Sequence, residues 1–337
     1  MSDRIDAFAT ATDMLAALRA RRVSAVELLE LLSRRIERHN PELNALVEPD
    51  FERARRDAEA ADARRARGED APLLGLPMTL KESINVRGLR TTAGMAQWKD
   101  FRSEYDAPVT TRVKGAGAVV MAKTNVPQML SDWQSVNPVY GRTNNPWDLG
   151  RTPGGSTGGG AAALAAGFTP LEFGSDIGGS IRVPAAFCGV YGHRPSETAM
   201  PRSGQFPMPP MPNAAVVMGV QGPMARSGDD LELALDGVAS SLGRLGCQVK
   251  VVQPDPLGDH RQHYALYLSL LAAVTSARVP AADRRARLDV MRTRDDEWSR
   301  ASQRASRAAR RTTSPGSVSA SSIARRGARS SGSGTCS

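Results

Sequence analysis

Two serines that each follow a pair of glycines are the residues of this chain best suited to nucleophilic chemistry. Ser156 and Ser180 lie 24 positions apart, in a Gly/Ser-rich run that extends from Gly154 to Arg182. Glycines before a serine let the backbone turn sharply and let a substrate approach main-chain N–H groups. Such N–H groups can bind the oxyanion that forms when a serine oxygen attacks a carbonyl carbon. The pattern therefore predicts a serine nucleophile with a backbone oxyanion site.

The base that would activate such a serine lies elsewhere in the chain, because the run contains no histidine. The four histidines of the chain are His39, His193, His260 and His263. Spacing neither selects nor excludes one of them for a Ser-His-Asp arrangement. A lysine base is the other candidate, since Ser-Lys variants of the triad exist. Lys81 ends a short apolar run, as a residue at the mouth of a buried strand would.

Further motifs stand in a fixed order around the two serines. The sequence reads LKE at 80–82, AKTN at 122–125, GGS at 154–156, DIGGSIR at 176–182, PAA at 184–186 and GPMARS at 222–227. Lys81 precedes Ser156 by 75 residues. This ordered set resembles the signature of the amidase signature family, whose members are serine hydrolases. The resemblance covers about residues 10 to 237.

The resemblance implies hydrolysis of a carboxylic amide to a carboxylate and ammonia or an amine. Ser180 would attack the amide carbonyl and form an acyl-enzyme, while Ser156 would relay the proton to Lys81. Lys81 must be uncharged to accept that proton, and an unperturbed lysine has a pKa of ~10.4. Burial disfavours the ammonium form and would lower that pKa toward neutrality.

The resemblance also assigns supporting roles around these three side chains. The implied oxyanion hole consists of the backbone N–H groups of Ile177, Gly178, Gly179 and Ser180. Asp176 and Arg182 would hold the shape of the nucleophile turn through an ion pair or backbone hydrogen bonds. Thr157 stands where many members have a second serine and would support the site by hydrogen bonding. The resemblance implies no cofactor and no metal ion.

Two other functions are kept as alternatives. A related amidotransferase A-type subunit would act on glutamine in tRNA-linked amidation and would need partner proteins. A truncated, non-catalytic remnant would result if core strands of the C-terminal part are missing, since proteins are stable by only ~5–15 kcal/mol. After Gly237 the chain passes quickly to 242–249, which resembles a segment normally found well downstream. The chain is therefore interpreted as internally shortened.

The elements that must position the site follow an α/β order. Apolar periodicity predicts helices within 11–67, with a capping box at 24–27, and at 107–117, 158–166, from 181, 229–238 and 263–274. Short apolar runs predict strands at 74–80, 118–122 and 171–174, and Ser156 or Thr157 can cap the helix at 158–166. This order favours α/β layering. The resemblance implies the amidase signature fold, a mixed central β-sheet covered by helices on both faces, with an incomplete C-terminal part.

The resemblance, together with a change in composition near residue 301, implies four parts of the chain. They are an N-terminal helical segment at 1–70, the catalytic core at 71–237, a partial C-terminal part at 238–300 and a disordered Ser/Arg-rich tail at 301–337. The tail is either an RNA-binding or phosphorylated segment or, as we prefer, the product of a reading-frame shift. The Pro- and Met-rich stretch 199–214 is predicted to be a mobile surface loop that either covers a substrate cleft or only connects two elements.

Charge and composition limit the partners. The formal net charge is +9, but seven arginines and no acid in 301–337 leave only +2 for the rest, so no nucleic-acid partner is expected for the folded part. No stretch of about 18 apolar residues is present, so no membrane span is predicted. The charged N-terminal sequence lacks the apolar core of a signal peptide, so a cytoplasmic location is predicted. The expected partner is a small-molecule amide, and a homodimer stays open.

Overall fold

The computed structural model describes most of the first two-thirds of the chain and short parts of the rest. The described residues are 5–197, 199–208, 218–235, 268, 271–272, 281–294, 296, 299–303 and 305. The chain divides into two compact units, Met1–Ser241 and Leu242–Ser337. The first unit contains the strands given below, and the second contains the helix Ala281–Arg292. The division into four parts that the resemblance and composition imply stays a prediction.

A six-stranded β-sheet is the centre of the first unit. Its strands are β1 (Leu46–Pro49), β2 (Pro77–Lys81), β3 (Val119–Thr124), β6 (Leu171–Asp176), β7 (Tyr191–Gly192) and β8 (Val220–Ala225), while β4 (Val136–Asn137) pairs separately with β5 (Gly141–Arg142). The order across the sheet is β1-β3-β2-β6-β8-β7. β2 runs parallel to β3 and β6, whereas β1 is antiparallel to β3, and β8 is antiparallel to β6 and β7. The sheet is therefore mixed, which confirms the predicted fold class.

The first unit also contains helices. They are α1 (Ala11–Arg19), α2 (Ala25–Leu43), α3 (Phe51–Ala66), α4 (Pro108–Gly115), α5 (Gly158–Ala165) and α6 (Arg182–Cys188), and residues 228–235 are also helical. α3 contacts β3, and α5 contacts β2, β3 and β6. Every residue of β2, β3, β6 and β8 is buried. Polar side chains in these strands must therefore find their partners inside the protein.

The N-terminal helices confirm one prediction and correct another. α2 begins with the predicted capping box, in which Ser24 Oγ accepts from the Glu27 N–H (3.1 Å) and Glu27 Oε2 accepts from the Ser24 N–H (2.8 Å). The stretch 11–67 is not helical throughout, however, because Leu46–Pro49 forms the edge strand β1. Asn44 ends α2 in the left-handed conformation, at φ 49°, and so redirects the chain toward β1.

The strands predicted from apolar runs coincide with β2, β3 and β6, with bounds that differ by a few residues. The sequence does not predict β7 or β8, and β8 contains Gly222 and Pro223, two residue types that strands disfavour. The predicted cap of α5 is wrong: Thr157 occupies the N-cap position without a side-chain capping bond. The Ser156 hydroxyl bonds to Lys81 instead.

Several predictions concern segments that are described only in part. Residues 299–303 and 305 are helical, which differs from a disordered tail that begins at 301. The segments 306–337, 242–249, 209–217 and most of the helix predicted at 263–274 lie outside the described residues. Within the described ranges, no helix has both the length and the apolar character needed to cross a bilayer.

Candidate active site

Lys81 is the last residue of β2 and is completely buried. Its Nζ donates to Ser156 Oγ (2.7 Å), Ser175 Oγ (3.0 Å) and the Ser175 carbonyl oxygen (3.4 Å). Burial lowers the pKa of Lys81 to about 7, although the negative charges of Asp176 and Glu172 act in the opposite direction. A large fraction of the amine is therefore uncharged near neutral pH.

Ser156 reaches Lys81 from the loop that leads into α5. The Gly155–Ser156 peptide bond is cis, and Ser156 is 1% exposed. The two glycines before it are packed tightly, since a Cβ on Gly154 would lie 2.8 Å from the Pro184 Cα and one on Gly155 would lie 2.9 Å from the Trp133 Cα. Only glycine fits at these two positions without a shift of the neighbouring backbone.

Ser180 lies in the turn between β6 and α6, and it is 9% exposed. Its carbonyl oxygen accepts from the Thr157 N–H (3.0 Å), which joins the Ser180 turn to the loop that carries Ser156. Among the described residues, no hydrogen bond connects the hydroxyls of Ser156 and Ser180. The structure thus brings Lys81 and Ser156 into direct contact and ties Ser180 to them through the backbone.

The Asp176 carboxylate binds the backbone of the Ser180 turn. Its carboxylate accepts from the N–H groups of Gly179 (2.9 Å) and Ile181 (3.0 Å) and pairs with the Arg182 guanidinium (2.9 Å). Burial acts to raise the pKa of Asp176, but Arg182 and the backbone donors outweigh it and hold the pKa below its ordinary value. Arg194 lies 3.8 Å away as a second cation. The ion pair and the backbone bonds expected for Asp176 are both present.

Three of the four expected oxyanion donors lack a protein acceptor. The N–H groups of Ile177, Gly178 and Ser180 donate to no other residue within the described part of the chain. The Gly179 N–H differs, because it is held by Asp176. The turn can therefore offer backbone donors to a substrate oxygen while Asp176 fixes its shape.

Thr157 lies against the strand that ends at this turn. Its Oγ1 donates to the Ser175 carbonyl oxygen (3.4 Å). A Cβ on Gly174 would lie 2.6 Å from the Thr157 Cγ2, so the threonine side chain packs directly on the β6 backbone. Thr157 thus contacts the residue whose hydroxyl also binds Lys81.

The sequence does not predict the contacts of three buried polar residues next to the site. The Ser175 hydroxyl accepts a hydrogen bond from Lys81. Its position directly before the DIGGSIR motif is the sequence signal that could have identified it. Glu172 is completely buried and accepts from Thr79 Oγ1 (2.5 Å) and Thr124 Oγ1 (2.7 Å), and burial raises its pKa to about 7. Lys123 is equally buried, and burial lowers its pKa to about 8.

Lys123 has different partners from Lys81. Its Nζ donates to Thr91 Oγ1 (2.7 Å) and to the Arg90 carbonyl oxygen. On the neighbouring side, Glu82 accepts from the N–H groups of Thr92 (2.5 Å) and Ala93 (3.0 Å). Lys123 and Glu82 therefore both bond to the loop at 90–93, and among the described contacts neither side chain bonds to Ser156 or Ser180.

Other candidate sites are less developed. No cluster of metal-binding side chains occurs among the residues that the structure describes. A surface cleft of about 350 Å³, lined in part by Phe8, Arg35 and Trp147, includes none of the predicted site residues. The chemistry available in the described structure therefore centres on Lys81, Ser156 and the Ser180 turn.

The mixed sheet and the ordered motifs define the class of protein, an α/β protein of the amidase signature type. The family model described as Amidase matches residues 27–306, and the chain belongs to this family. The chain is 41% identical over 246 residues to the A-type subunit of the glutamyl-tRNA(Gln) amidotransferase of Chromohalobacter salexigens, a match that covers 73% of this chain and 49% of the relative. The chain thus spans about half the length of the curated relatives it matches.

Solved structures agree with this assignment. A structure of fatty acid amide hydrolase aligns with a TM-score of 0.64 at 30% identity, over 75% of this chain and 46% of that one. A crystal structure of an amidase aligns with a TM-score of 0.65 at 26% identity, over 87% of this chain and 76% of that one. The fold and the family are therefore the same as those that the sequence motifs predict.

Proposed function

We propose that the protein hydrolyses a carboxylic amide through an acyl-enzyme on Ser180, with Ser156 relaying the proton to Lys81. The observation that carries this proposal is the 2.7 Å hydrogen bond between the Lys81 amine and the Ser156 hydroxyl. A lysine with a pKa of about 7 is available as a neutral base near neutral pH. Membership of the amidase family supports an amide as the bond that is cleaved.

The reaction begins with a coupled proton transfer. Ser180 Oγ attacks the amide carbonyl carbon while its proton passes to Ser156 and the Ser156 proton passes to Lys81. The carbonyl electron pair moves onto oxygen, where the free N–H groups of the turn stabilise it. The relay requires the Ser180 hydroxyl to approach Ser156, and catalytic hydrogen bonds often tighten only when substrate is bound.

The charged Lys81 then acts as the acid. Its proton returns through Ser156 to the amide nitrogen, the carbon–nitrogen bond breaks, and ammonia or an amine leaves. A water molecule then attacks the acyl-enzyme while its proton passes to Lys81. That proton returns through Ser156 to Ser180 Oγ as the ester bond breaks and the acid product, which ionises to the carboxylate, leaves. One group thus serves as base and as acid in turn.

Fluorophosphonate labelling with mass-spectrometric mapping tests the proposal directly. The expected result is a single label on Ser180, together with release of ammonia from a simple amide, and loss of both in Ser180→Ala. Ser103→Ala is a matched control, because Ser103 is also buried but, among the described residues, its hydroxyl bonds only to the nearby backbone of Tyr105. Labelling on another residue, or amide hydrolysis that survives Ser180→Ala, would contradict the assignment.

The same experiment separates an enzyme from a remnant. A non-catalytic remnant would give no label on Ser180, whereas an enzyme would combine the label with a cooperative thermal transition. The full-length chain should be used, because the match to the family model extends to residue 306.

A second candidate function is favoured by the similarity to amidotransferase A-type subunits. In this case the same three side chains would release ammonia from glutamine, and partner proteins would be needed for transfer to a tRNA-linked substrate. Glutamine hydrolysis and copurification with such partners would support this function. Hydrolysis of simple amides by the isolated chain, without activity on glutamine, would favour the amidase.

A further inference from the structure

Trp133 connects the two glycine turns that precede the two serines. Its Cα would lie 2.9 Å from a Cβ placed on Gly155, the residue before Ser156. The edge of its indole ring lies beside Gly179, the residue before Ser180, since Cζ2 and Nε1 would be 3.8 Å and 3.9 Å from a Cβ placed there. The ring is therefore next to the nucleophile turn.

The backbone around Trp133 is fixed to the segment that leads to Ser156. The Trp133 carbonyl oxygen accepts from Thr152 Oγ1 (3.1 Å), and Ser135 Oγ donates to the Gly154 carbonyl oxygen (2.9 Å). These bonds hold the backbone at 133–135 without using the indole. The indole itself is therefore left available for a contact with substrate.

The indole stays open on one side. Trp133 is 49% exposed, and its Nε1 donates to no acceptor in the described part of the chain. The indole edge lies beside the Ser180 turn, and the half-exposed ring therefore leaves apolar surface accessible next to the proposed nucleophile. Aromatic rings gain extra stabilisation from offset-stacked or edge-to-face contacts beyond the area they bury.

We propose that Trp133 is a specificity-determining residue that selects amides with an aromatic acyl group. This inference rests on the proposed function, because it needs Ser180 as the nucleophile. The acyl group stays bonded to Ser180 Oγ after the amine has left, so a contact with Trp133 would act on both halves of the reaction. Small aliphatic acyl groups are too short to cover the indole and gain less from it.

Two sulfonyl fluorides of different size test this proposal on the full-length protein. Phenylmethanesulfonyl fluoride carries an aromatic group, and methanesulfonyl fluoride does not, while both modify the same serine oxygen. We expect Trp133→Ala to lower the ratio of the two Ser180 labelling rates by about tenfold, and Trp133→Phe to retain most of the ratio. Trp147→Ala should leave the ratio unchanged, since Trp147 is also exposed, at 73%, but bonds to the Cys188 carbonyl oxygen.

The outcomes distinguish the proposed role of Trp133 from the proposed role of Ser180. Labelling of Ser180 by both reagents, with the same ratio in wild type and Trp133→Ala, would overturn the role of Trp133 and leave the nucleophile in place. Labelling of Ser180 by neither reagent would overturn both proposals. A thermal unfolding midpoint for each variant shows whether a lower rate comes from loss of the fold. The ratio of the benzamide to the acetamide hydrolysis rate should also fall in Trp133→Ala and stay close to the wild-type value in Trp133→Phe.

Discussion

The amine of Lys81 lies 2.7 Å from the hydroxyl of Ser156, and neither side chain is more than 1% exposed. Water cannot solvate an ammonium at this position, so the neutral amine is favoured. The Ser156 hydroxyl can donate to that amine and then accept a proton from a second hydroxyl. The pair therefore forms the inner end of a proton path whose outer end would be Ser180.

Replacing Lys81 by methionine removes the proton acceptor while keeping an unbranched side chain of similar length. We expect the rate of fluorophosphonate labelling at Ser180 to fall by at least about 100-fold, because the base is lost. Lys123→Met is the matched control, since Lys123 is also fully buried but bonds to Thr91 and the Arg90 carbonyl oxygen. That control should keep its labelling rate and lose about 1–3 kcal/mol of stability. Equal losses of labelling in both variants would contradict a specific role for Lys81.

The rate of Ser180 labelling should rise with pH as Lys81 loses its proton. Because the pKa of Lys81 is about 7, the rate should be half-maximal near that pH and level above it. Glu172→Gln should move the midpoint to lower pH, since the negative charge of Glu172 raises the pKa of Lys81. Glu30→Gln, at the exposed pair with Arg55, is the control and should leave the midpoint in place. A midpoint near ~10, the value of a solvated lysine, would contradict a buried base.

The same lowered pKa predicts how stability depends on pH. In the unfolded chain Lys81 has an ordinary pKa of ~10.4, so between about pH 7 and 10 the unfolded state binds more protons than the folded state. Stability therefore rises with pH through this window, by up to about 1.4 kcal/mol per pH unit for this group. Urea midpoints at several pH values should show a smaller rise in Lys81→Met than in the wild type. An identical slope in both proteins would show that Lys81 is not desolvated.

The two serine turns of the candidate site were predictable from the sequence because ordered local motifs form them, whereas Lys81 was assigned through the family resemblance. A Gly-Gly-Ser turn has a backbone preference that the residues themselves fix. The short apolar runs that predict β2, β3 and β6 were recognisable for a similar reason, since burial on both faces favours apolar residues there. Local sequence therefore specifies both the serine turns and the central strands.

The other features of the fold and of the candidate site depend on contacts between distant parts of the chain. Glu172 and Lys123 are charged residues, which are almost never fully buried without partners, and those partners come from other strands and loops. The edge strand β1 is only four residues long, so its pairing with β3 leaves too short a pattern to recognise. Ser175 and Trp133 likewise acquire their positions only when the loops are assembled on the sheet.

Removal of the Asp176 carboxylate should weaken the Ser180 turn more than removal of its cationic partner. Asp176→Ala leaves the Gly179 and Ile181 N–H groups without their acceptor and removes the buried carboxylate that pairs with Arg182. We expect the free energy of unfolding to fall by about 3–5 kcal/mol. Arg182→Ala should cost less, because the Arg182 side chain is 47% exposed and Arg194 lies 3.8 Å from the carboxylate. Denaturant unfolding of both variants measures the difference. A larger loss in Arg182→Ala would show that the cation, not the carboxylate, fixes the turn.

The closeness of α5 to the sheet makes its glycines sensitive to a single added methyl group. A Cβ on Gly159 would lie 2.3 Å from the Asn125 backbone nitrogen and 2.7 Å from the Ala45 carbonyl oxygen, so Gly159→Ala forces backbone to move. We expect a loss of about 1–3 kcal/mol together with slower Ser180 labelling, because α5 begins at Gly158, close to Ser156 in the chain. Gly115→Ala is the matched helical control, since nothing lies within 4 Å of its added Cβ, and it should stabilise by up to about 1 kcal/mol. Equal gains in both variants would mean that α5 lies further from the 125 loop than these distances require, and the Ser156 position would then depend on other contacts.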